Sequence, residues 1–245
     1  DEHLAVKTNA LEILDKQLAL RTKQNQYGII AVGSGTDAYI HHEAMQQQTA
    51  GMLKIILKYR FPVFISTKCT LITRDIELLK EIDKTAILPD DLKSSLARGV
   101  ILSVSLSSLD EKITNMLEPG AAPPCQRLGL VKQLKQEGFL VGVNAIPLLP
   151  YISDTEEEME KIIAAAKEDE AGYILTCGLT LFGTDISDSK TLFYKFLERY
   201  DKELLPKYEQ LYGSNFYTPF SYQNQLKEKA ERLCRKHNIH TGILK

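Results

Sequence analysis

The stretch IIAVGSGTDAYIHH, residues 29–42, joins a continuous apolar run to a segment with two glycines, two hydroxyl side chains and a carboxylate. A short apolar run bounded by glycine is typical of a buried β-strand. Glycine lets a ligand approach the main-chain N–H groups, while Ser34, Thr36 and Asp37 offer oxygen acceptors. Because α/β proteins bind ligands at the carboxyl ends of their strands, this stretch predicts a strand that ends in a binding loop. The alternative is an ordinary strand-to-helix turn in which Asp37 acts as a cap.

The same alternation of apolar runs and amphipathic segments continues along the chain. Apolar runs predict strands at 27–32, 63–67, 99–108, 139–150 and 172–183. Helical spacing predicts helices at 5–19, 43–59, 74–82, 90–98, 125–137, 155–168 and 188–200, with a helical turn or two within 110–124. We expect Asp154 to cap the helix at 155–168, with Glu157 completing a capping box. Five apolar strands separated by helices are typical of parallel strands buried on both faces.

Polar residues lie toward or just beyond the carboxyl end of each of these predicted strands. Right-handed crossovers bring the carboxyl ends of parallel strands to one face, so these residues are expected to lie on that face. Lys68, directly after a buried strand, is placed to pair with a carboxylate or a phosphate. The polar strand ends are 33–37, 67–68, 105–108, 144–147 and Thr180.

Composition limits the class of protein. The 245 residues are 44% hydrophobic and 25% charged, enough for one large core, and α/β barrels commonly occupy roughly 200–250 residues. A formal net charge of -2 gives no global attraction for nucleic acid or an anionic membrane, so a nucleic-acid partner is left open without support from charge. No apolar run is long enough to span a bilayer and no signal-peptide pattern is present, so we expect no membrane association and a cytoplasmic protein.

The four cysteines, Cys69, Cys125, Cys177 and Cys234, are too widely separated for one loop to wrap a metal or a cluster. Cys234 and His237 are spaced for one helical turn, but such a pair without two further ligands is more often packing than a metal site. We therefore predict no metal ligands.

Several motifs in order carry a resemblance: GSGTDAY at 33–39, TRDIELL at 73–79, LEPGAAPPCQRL at 117–128 and VGVNAIPLLP at 141–150, with FISTK and SVSLSSLD between them. Together they resemble the radical SAM proteins related to spore photoproduct lyase, over most of residues 5–200. The resemblance implies a partial (β/α)6 TIM-like barrel of parallel strands that lacks its first strand. Residues 1–200 would form this barrel, and 201–245 a helical C-terminal extension packed on it.

The resemblance also implies a site for S-adenosylmethionine across the strand ends. Acceptors, a cation, hydroxyls and an apolar slot suit its ammonium, carboxylate, ribose and adenine. The loop after the first strand would meet the methionine part, the next two strand ends the carboxylate or ribose, and the fourth strand the adenine. Arg127 either pairs with a carboxylate such as Glu118 or lies on the surface. The residues implied are Ser34, Thr36, Asp37, Lys68, Ser105, Arg127, Ala145 and Ile146.

Two features depart from that family. The CxxxCxxC loop that binds its [4Fe-4S] cluster does not occur, and the chain opens at Asp1 within a helical pattern, so we expect the cluster segment to lie upstream. With that segment, the enzyme would cleave S-adenosylmethionine reductively to a 5′-deoxyadenosyl radical, using an electron donor such as flavodoxin or ferredoxin; this chain alone is expected to be inactive. Ser34 stands where the lyase has a hydrogen-donating cysteine, so repair of a thymine photoproduct does not follow.

Three functions remain as hypotheses: a radical SAM enzyme of the lyase-like (DNA repair photolyase-like) group, a non-catalytic S-adenosylmethionine or nucleotide-binding sensor or adaptor, and a phosphate-binding barrel enzyme. The third requires a phosphate loop after a late strand, for which CGLTLFGTD at 177–185 is the candidate.

The aromatic residues of the C-terminal extension either stack on nucleobases or seal the side of the barrel, and we favour the second. They are Tyr212, Phe216, Tyr217, Phe220 and Tyr222.

Overall fold

A computed structural model describes residues 7–244. Five parallel strands form a sheet in simple chain order, β1–β2–β3–β4–β5. The apolar runs are β-branched and bounded by turns, which is why they form strands. The predicted parallel α/β fold is therefore confirmed. The strands are β1 (Ile30–Val32), β2 (Val63–Thr67), β3 (Val100–Ser105), β4 (Leu140–Leu148) and β5 (Ile174–Gly178).

Helices connect the strands and follow the last of them. The chain between Thr70 and Asp75 forms a 3₁₀ helix. The α-helices are α1 (Ala10–Lys23), α2 (Glu43–Gln46), α3 (Gln48–Tyr59), α4 (Ile76–Thr85), α5 (Glu111–Leu117), α6 (Pro124–Gln136), α7 (Glu156–Glu168), α8 (Ser189–Tyr200), α9 (Leu204–Tyr212) and α10 (Phe220–Lys236).

The chain divides into two compact units, which we call the N-terminal and C-terminal units. The N-terminal unit comprises Asp1–Ser103, Glu137–Leu140 and Leu244–Lys245, and the C-terminal unit comprises Val104–Gln136 and Val141–Ile243. The segment 201–243, predicted as a separate extension, belongs to the C-terminal unit by its contacts. The predicted boundary at residue 200 stays a prediction.

In the N-terminal unit, three predicted helices differ from the structure. The helix predicted at 5–19 begins at Ala10, and residues 5 and 6 lie outside the described residues. The helix predicted at 43–59 is broken at Gln47, whose φ is 51°. The break has a cause: Glu43 Oε1 accepts a hydrogen bond from Thr49 N at 3.0 Å and so caps α3 from the preceding helix. The helix predicted at 90–98 was wrong, because that segment makes only isolated turns, too short to sustain a helix.

In the C-terminal unit, β4 and β5 pair in parallel, with Val143 opposite Ile174. The register shifts between Ala145 and Leu148, which marks a bulge near the carboxyl end of β4. Beyond α10 the chain returns to β5, where His240 forms a parallel bridge with Tyr173. The main chain of the C-terminal segment thus lies alongside the start of β5.

Asp154 has a different role from the predicted one. The cap of α7 is Thr155, whose side chain accepts a hydrogen bond from Glu158 N at 3.3 Å, so the capping-box assignment to Asp154 and Glu157 was wrong by one residue. Asp154 is instead only 6% exposed. Its carboxylate accepts from Tyr151 N at 2.6 Å and from the Tyr222 hydroxyl.

The same residue joins the loop after β4 to α10. Lys229 Nζ donates to the Asp154 carbonyl oxygen at 2.6 Å, and Tyr222 also lies on α10. Burial is the largest influence on the Asp154 carboxyl and raises its pKa, against the lowering effect of the Tyr222 hydrogen bond. A buried carboxyl therefore ties a loop to a helix that is distant in sequence.

Gly33 makes the turn at the end of β1 possible. Its φ is +87°, and a Cβ placed there would lie 2.2 Å from the carbonyl oxygen of Ser66. We expect Gly33→Ala to lower the free energy of unfolding by roughly 2–4 kcal/mol, because strain and a backbone clash add. Urea denaturation measures this, with Gly35→Ala as the control, since a Cβ there meets no atom within 4 Å. Equal stability of the two variants would contradict the prediction.

Asp154 generates a prediction about pH. A carboxyl whose folded-state pKa is raised contributes stability below its unfolded pKa and loses it as pH rises through the folded value. Asp154→Asn removes the buried charge and keeps an acceptor oxygen. We therefore expect this variant to gain stability over the wild type at neutral pH, with the gain disappearing as pH falls to about 3.9, the ordinary value for aspartate.

Urea denaturation at a series of pH values measures that difference. Asp90→Asn is the matched control, because Asp90 is exposed and is paired with Lys93 three residues later, so its substitution changes stability little. A wild type that is more stable than Asp154→Asn at neutral pH would contradict the prediction.

Candidate functional site

In the N-terminal unit, Asp37 holds the loop after β1 against the end of β2. Its Oδ1 accepts from Tyr39 N at 2.8 Å and from Thr67 Oγ1 at 2.7 Å. Its Oδ2 accepts from Lys68 N at 2.6 Å. The structure therefore brings together two predicted site residues, Asp37 and Lys68, through a direct hydrogen bond.

This arrangement separates two tasks within the loop. Both carboxylate oxygens of Asp37 bond to the protein, so its structural contribution is to position the loop. Ser34 and Thr36 are exposed residues of the same loop. The loop therefore carries exposed hydroxyl residues on a backbone that Asp37 holds in place.

A second, buried cluster supports the same loop. Arg74 Nη2 lies 3.0 Å from Glu43 Oε1 and 2.8 Å from Asp75 Oδ2, and its Nη1 donates to the Glu43 carbonyl oxygen at 3.0 Å. The Tyr39 hydroxyl donates to Asp75 Oδ2 at 3.1 Å. Burial first, and then the Asp75 charge, raise the pKa of Tyr39, while hydrogen bonding to Asp75 raises the pKa of Arg74. Sequence reasoning missed this cluster, because no local pattern pairs Arg74 with Glu43, 31 residues away.

In the C-terminal unit, Arg127 holds the end of β3. The side chain is 1% exposed and its Nη1 lies 2.6 Å from Glu118 Oε2. Nη1 also donates to the Ser105 carbonyl oxygen at 3.1 Å, and Nε donates to the Ala122 carbonyl oxygen at 2.6 Å. The sequence left two alternatives for Arg127, and in the structure Arg127 pairs with Glu118 and does not lie on the surface. It brings together the predicted residues Ser105 and Arg127.

Ala145 and Ile146 lie near the bulge of β4 and differ in exposure. Ala145 is buried, while Ile146 is 36% exposed and lines a cavity of about 270 Å³. Thr176 of β5 and two residues of α10, Lys227 and Glu231, line the same cavity. Sequence reasoning missed the contribution of α10, because nothing local indicates that a helix some eighty residues downstream reaches β4.

The loop after β5 gives no support to the phosphate-binding alternative. Phe182 N donates to Ser189 Oγ at 2.7 Å, and Asp185 N donates to Asp188 Oδ2 at 2.8 Å. A phosphate loop needs N–H groups directed at the ligand. Here two of these groups bond to the loop's own side chains, and one acceptor is an aspartate.

The C-terminal aromatic residues fall into two groups. Tyr212 is buried and donates to the Leu179 carbonyl oxygen at 2.7 Å, and Tyr222 bonds to Asp154. Phe216, Tyr217 and Phe220 are exposed. The first two residues are therefore packed within the C-terminal unit, and Phe216 and Tyr217 pack beside the ring of Phe182, with ring centroids 5.6 and 6.0 Å from it.

Among residues 7–244, no group of three or more His, Cys, Asp or Glu side chains is arranged to hold a metal ion. Cys234 is buried, which raises the pKa of its thiol to about 11, and the His237 ring lies 2.9 Å from Glu160 Oε1. Within the same described range, no helix is long and apolar enough to cross a bilayer. Predicted cytoplasmic location stays a prediction.

No family model matches the chain. An uncharacterized protein of Mycobacterium tuberculosis strain H37Rv and one of Mycobacterium bovis are each 27% identical to it over 240 residues. The alignment covers 98% of this chain and 65% of each relative, so the chain spans just under two thirds of their length. An uncharacterized protein of Acidianus two-tailed virus is 33% identical over 102 residues, covering 40% of this chain and 29% of the viral protein.

Solved radical SAM structures share the fold. A spore photoproduct lyase variant superposes with a TM-score of 0.62 at 13% identity, covering 93% of this chain and 64% of the lyase. SuiB of Streptococcus suis bound to S-adenosylmethionine superposes with a TM-score of 0.58 at 11% identity, covering 98% of this chain and 44% of SuiB. The described α/β arrangement matches the partial TIM-like barrel of these neighbours.

The buried pair at β3 generates a prediction about stability. Arg127→Met leaves the largely buried Glu118 carboxylate without its counter-charge, so we expect the free energy of unfolding to fall by about 3–5 kcal/mol. The double variant Arg127→Met/Glu118→Gln removes both charges and should recover a large part of that loss. Chemical denaturation of the wild type and the three variants, including Glu118→Gln alone, completes the cycle. Additive losses would show that the two residues do not act as a pair.

Proposed function

We propose that this chain is the S-adenosylmethionine-binding part of a radical SAM enzyme. The observation that carries the proposal is the match to spore photoproduct lyase with bound S-adenosylmethionine, at a TM-score of 0.60 and 12% identity over 93% of this chain and 64% of the lyase. At this low sequence identity, the match shows only that the neighbour and this chain share a fold. Because one fold can serve many functions, the function depends on the residues at the strand ends.

The residues of the N-terminal unit fit the polar part of such a cofactor. The loop after β1 presents the hydroxyls of Ser34 and Thr36, and Asp37 fixes its backbone. The Lys68 side chain follows directly on the strand end to which Asp37 is bonded. Hydroxyl acceptors and an ammonium group suit the amino and carboxylate groups of S-adenosylmethionine.

Taken by itself, the C-terminal unit offers apolar surface of the kind that a planar ring requires. Arg127 fixes the end of β3 at Ser105, and Ile146 lines a cavity together with Ile174 and Leu175. Preorganised sites of this kind combine apolar surface with a few placed polar groups. In each unit a charged side chain bonds to the main chain of a predicted site residue: Asp37 accepts from Lys68 N, and Arg127 donates to the Ser105 carbonyl oxygen.

The described residues do not fit a [4Fe-4S] cluster, since no three ligating side chains converge between residues 7 and 244. When present in a radical SAM enzyme, such a cluster supplies the electron for cofactor cleavage. This chain's own residues would bind and orient S-adenosylmethionine and exclude water from it.

The fold does not select a substrate. Spore photoproduct lyase has been solved with a dinucleoside photoproduct, and SuiB with its precursor peptide. These two molecules belong to different chemical classes, while the scaffold is shared. We therefore propose the cofactor and leave the reaction partner to experiment.

Binding of S-adenosylmethionine to the purified chain, measured by equilibrium dialysis, tests the proposal. We expect Lys68→Ala to weaken binding by at least about tenfold, the effect of losing one charge-assisted hydrogen bond. Lys93→Ala is the control, because Lys93 is exposed and pairs only locally with Asp90. Absence of binding by the wild type would refute the proposal.

The full-length gene product then tests the enzymatic part. After anaerobic reconstitution with iron and sulfide, a radical SAM enzyme releases 5′-deoxyadenosine when dithionite is added. A full-length protein that binds S-adenosylmethionine but forms no cluster and cleaves nothing would be a sensor or an adaptor instead.

A further inference from the structure

A cluster of exposed apolar side chains lies on the C-terminal unit, between the end of β5 and the start of α10. Phe182, Phe216, Tyr217 and Phe220 are 51%, 45%, 59% and 80% exposed, and Ile186 is 78% exposed. The rings of Phe216 and Tyr217 pack beside that of Phe182. Ile186 and Phe220 each follow one of these residues by no more than four positions. We call these five residues the aromatic patch.

The main chain that carries the aromatic patch is held in place. Leu181 N donates to the Phe216 carbonyl oxygen at 2.9 Å, which joins the two segments that bear the rings. Phe182 N donates to Ser189 Oγ at 2.7 Å, which ties the first segment to α8. A preformed surface loses less conformational entropy on association than a mobile one. The aromatic patch is therefore suited to binding without prior rearrangement.

The exposed area of the aromatic patch matches the apolar part of a stable interface. With about 200 Å² for a whole aromatic residue, its four rings together expose about 470 Å². A standard interface buries about 800 Å² on each partner, of which just over half, about 450 Å², is apolar. The four rings can therefore supply the apolar area that one side of such an interface needs.

Charged side chains of both signs border the aromatic patch. Asp185 is exposed and directly precedes Ile186. The residues just before Asp185 line a cavity of about 370 Å³ together with three charged side chains of α8, Lys190, Lys195 and Glu198. None of these four charged side chains forms an ion pair with any of residues 7–244. Both cations and carboxylates at this border are therefore available to a partner.

This mixture of charges limits the kind of partner. Nucleic acid and anionic membranes carry negative charge throughout, so the carboxylates of Asp185 and Glu198 would face them without compensation. A second copy of the chain carries the same mixture, and a two-fold axis can place the lysines of one copy opposite the carboxylates of the other. The net charge of -2 leaves little repulsion between two copies. The charges and the apolar area both fit self-association.

We propose that the aromatic patch is the interface of a two-fold symmetric dimer of this chain. The rings of the two copies pack against one another at the centre, and the charged side chains at the border form the rim. Each copy contributes the same surface, as a two-fold interface requires. This inference is independent of the proposed function, since the aromatic patch contains none of the predicted cofactor-binding residues.

Analytical ultracentrifugation over a series of protein concentrations tests the proposal. We expect the wild-type chain to dimerise with a dissociation constant of about 1–100 µM, as in a small transient interface. Phe220→Ser and Tyr217→Ser should each raise this constant at least about tenfold, because aromatic residues at the centre of an interface carry much of its binding energy. Both side chains are more than half exposed in the chain itself, so the thermal midpoints should stay close to the wild-type value.

Met45→Ser is the matched control for these variants. Met45 is 79% exposed on α2 of the N-terminal unit, so this variant removes an equally exposed apolar side chain outside the aromatic patch. Its dissociation constant should equal that of the wild type.

Asp185→Lys tests the charged rim. The variant removes a carboxylate and adds a third cation beside Lys190 and Lys195, so like charges of the two copies would meet. We expect the dissociation constant to rise about three- to tenfold at low salt, and by less at about 1 M salt, where charges are screened. A variant that dimerises more tightly than the wild type would contradict the proposed pairing.

The remaining outcomes are distinct. A wild-type chain that stays monomeric at about 200 µM refutes the dimer. A dimer that Phe220→Ser and Tyr217→Ser both leave unchanged uses another surface and also refutes it. A monomeric wild type that binds phosphatidylserine vesicles or a single-stranded oligonucleotide, and loses this binding in Phe220→Ser, assigns the aromatic patch to that partner instead. Dimerisation without S-adenosylmethionine binding supports this inference and refutes the proposed function, and cofactor binding by a monomer does the reverse.

Discussion

The hydrogen bonds of the Asp37 carboxylate are the constraint on which the polar loop after β1 depends. A loop of glycine and hydroxyl residues has little apolar surface to bury and would lose conformational entropy on ordering. Two oxygens of one side chain accept from Tyr39, Thr67 and Lys68, and so fix both the loop and the start of the segment after β2. Asp37 therefore holds the loop in place, and the hydroxyl residues Ser34 and Thr36 remain exposed.

Buried charge plays the same part in both units. Arg74 joins Glu43 to Asp75 in the N-terminal unit, and Arg127 joins Glu118 to the Ser105 carbonyl in the C-terminal unit. A guanidinium group holds several hydrogen-bond donors in one fixed plane, whereas the donors of an ammonium group rotate freely. Burying such charges costs desolvation energy, so their contribution is to geometry more than to net stability. In each unit the guanidinium group therefore fixes the position of main-chain groups next to it.

The strands, their parallel arrangement and the turn at Gly33 followed from the sequence, because apolar runs and glycine act through local physics. Features made by individual side-chain contacts did not. Glu43 caps a helix across an intervening turn, and the carboxylate of Asp154 accepts from Tyr222, 68 residues away. Neither pairing has a periodic signature, and the predicted cap at Asp154 competed with Thr155, one position later. The predicted ligand roles of the eight site residues are still predictions.

The bridge between Tyr173 and His240 has a consequence for biosynthesis. The chain is made from the amino terminus at roughly 5–20 residues per second, so His240 follows Tyr173 from the ribosome by several seconds. During that interval the main chain of β5 lacks the neighbour that later lies alongside it. An unpaired strand edge invites pairing with other nascent chains. We therefore expect chaperones to be needed between the synthesis of Tyr173 and that of His240, while this edge of β5 is unpaired.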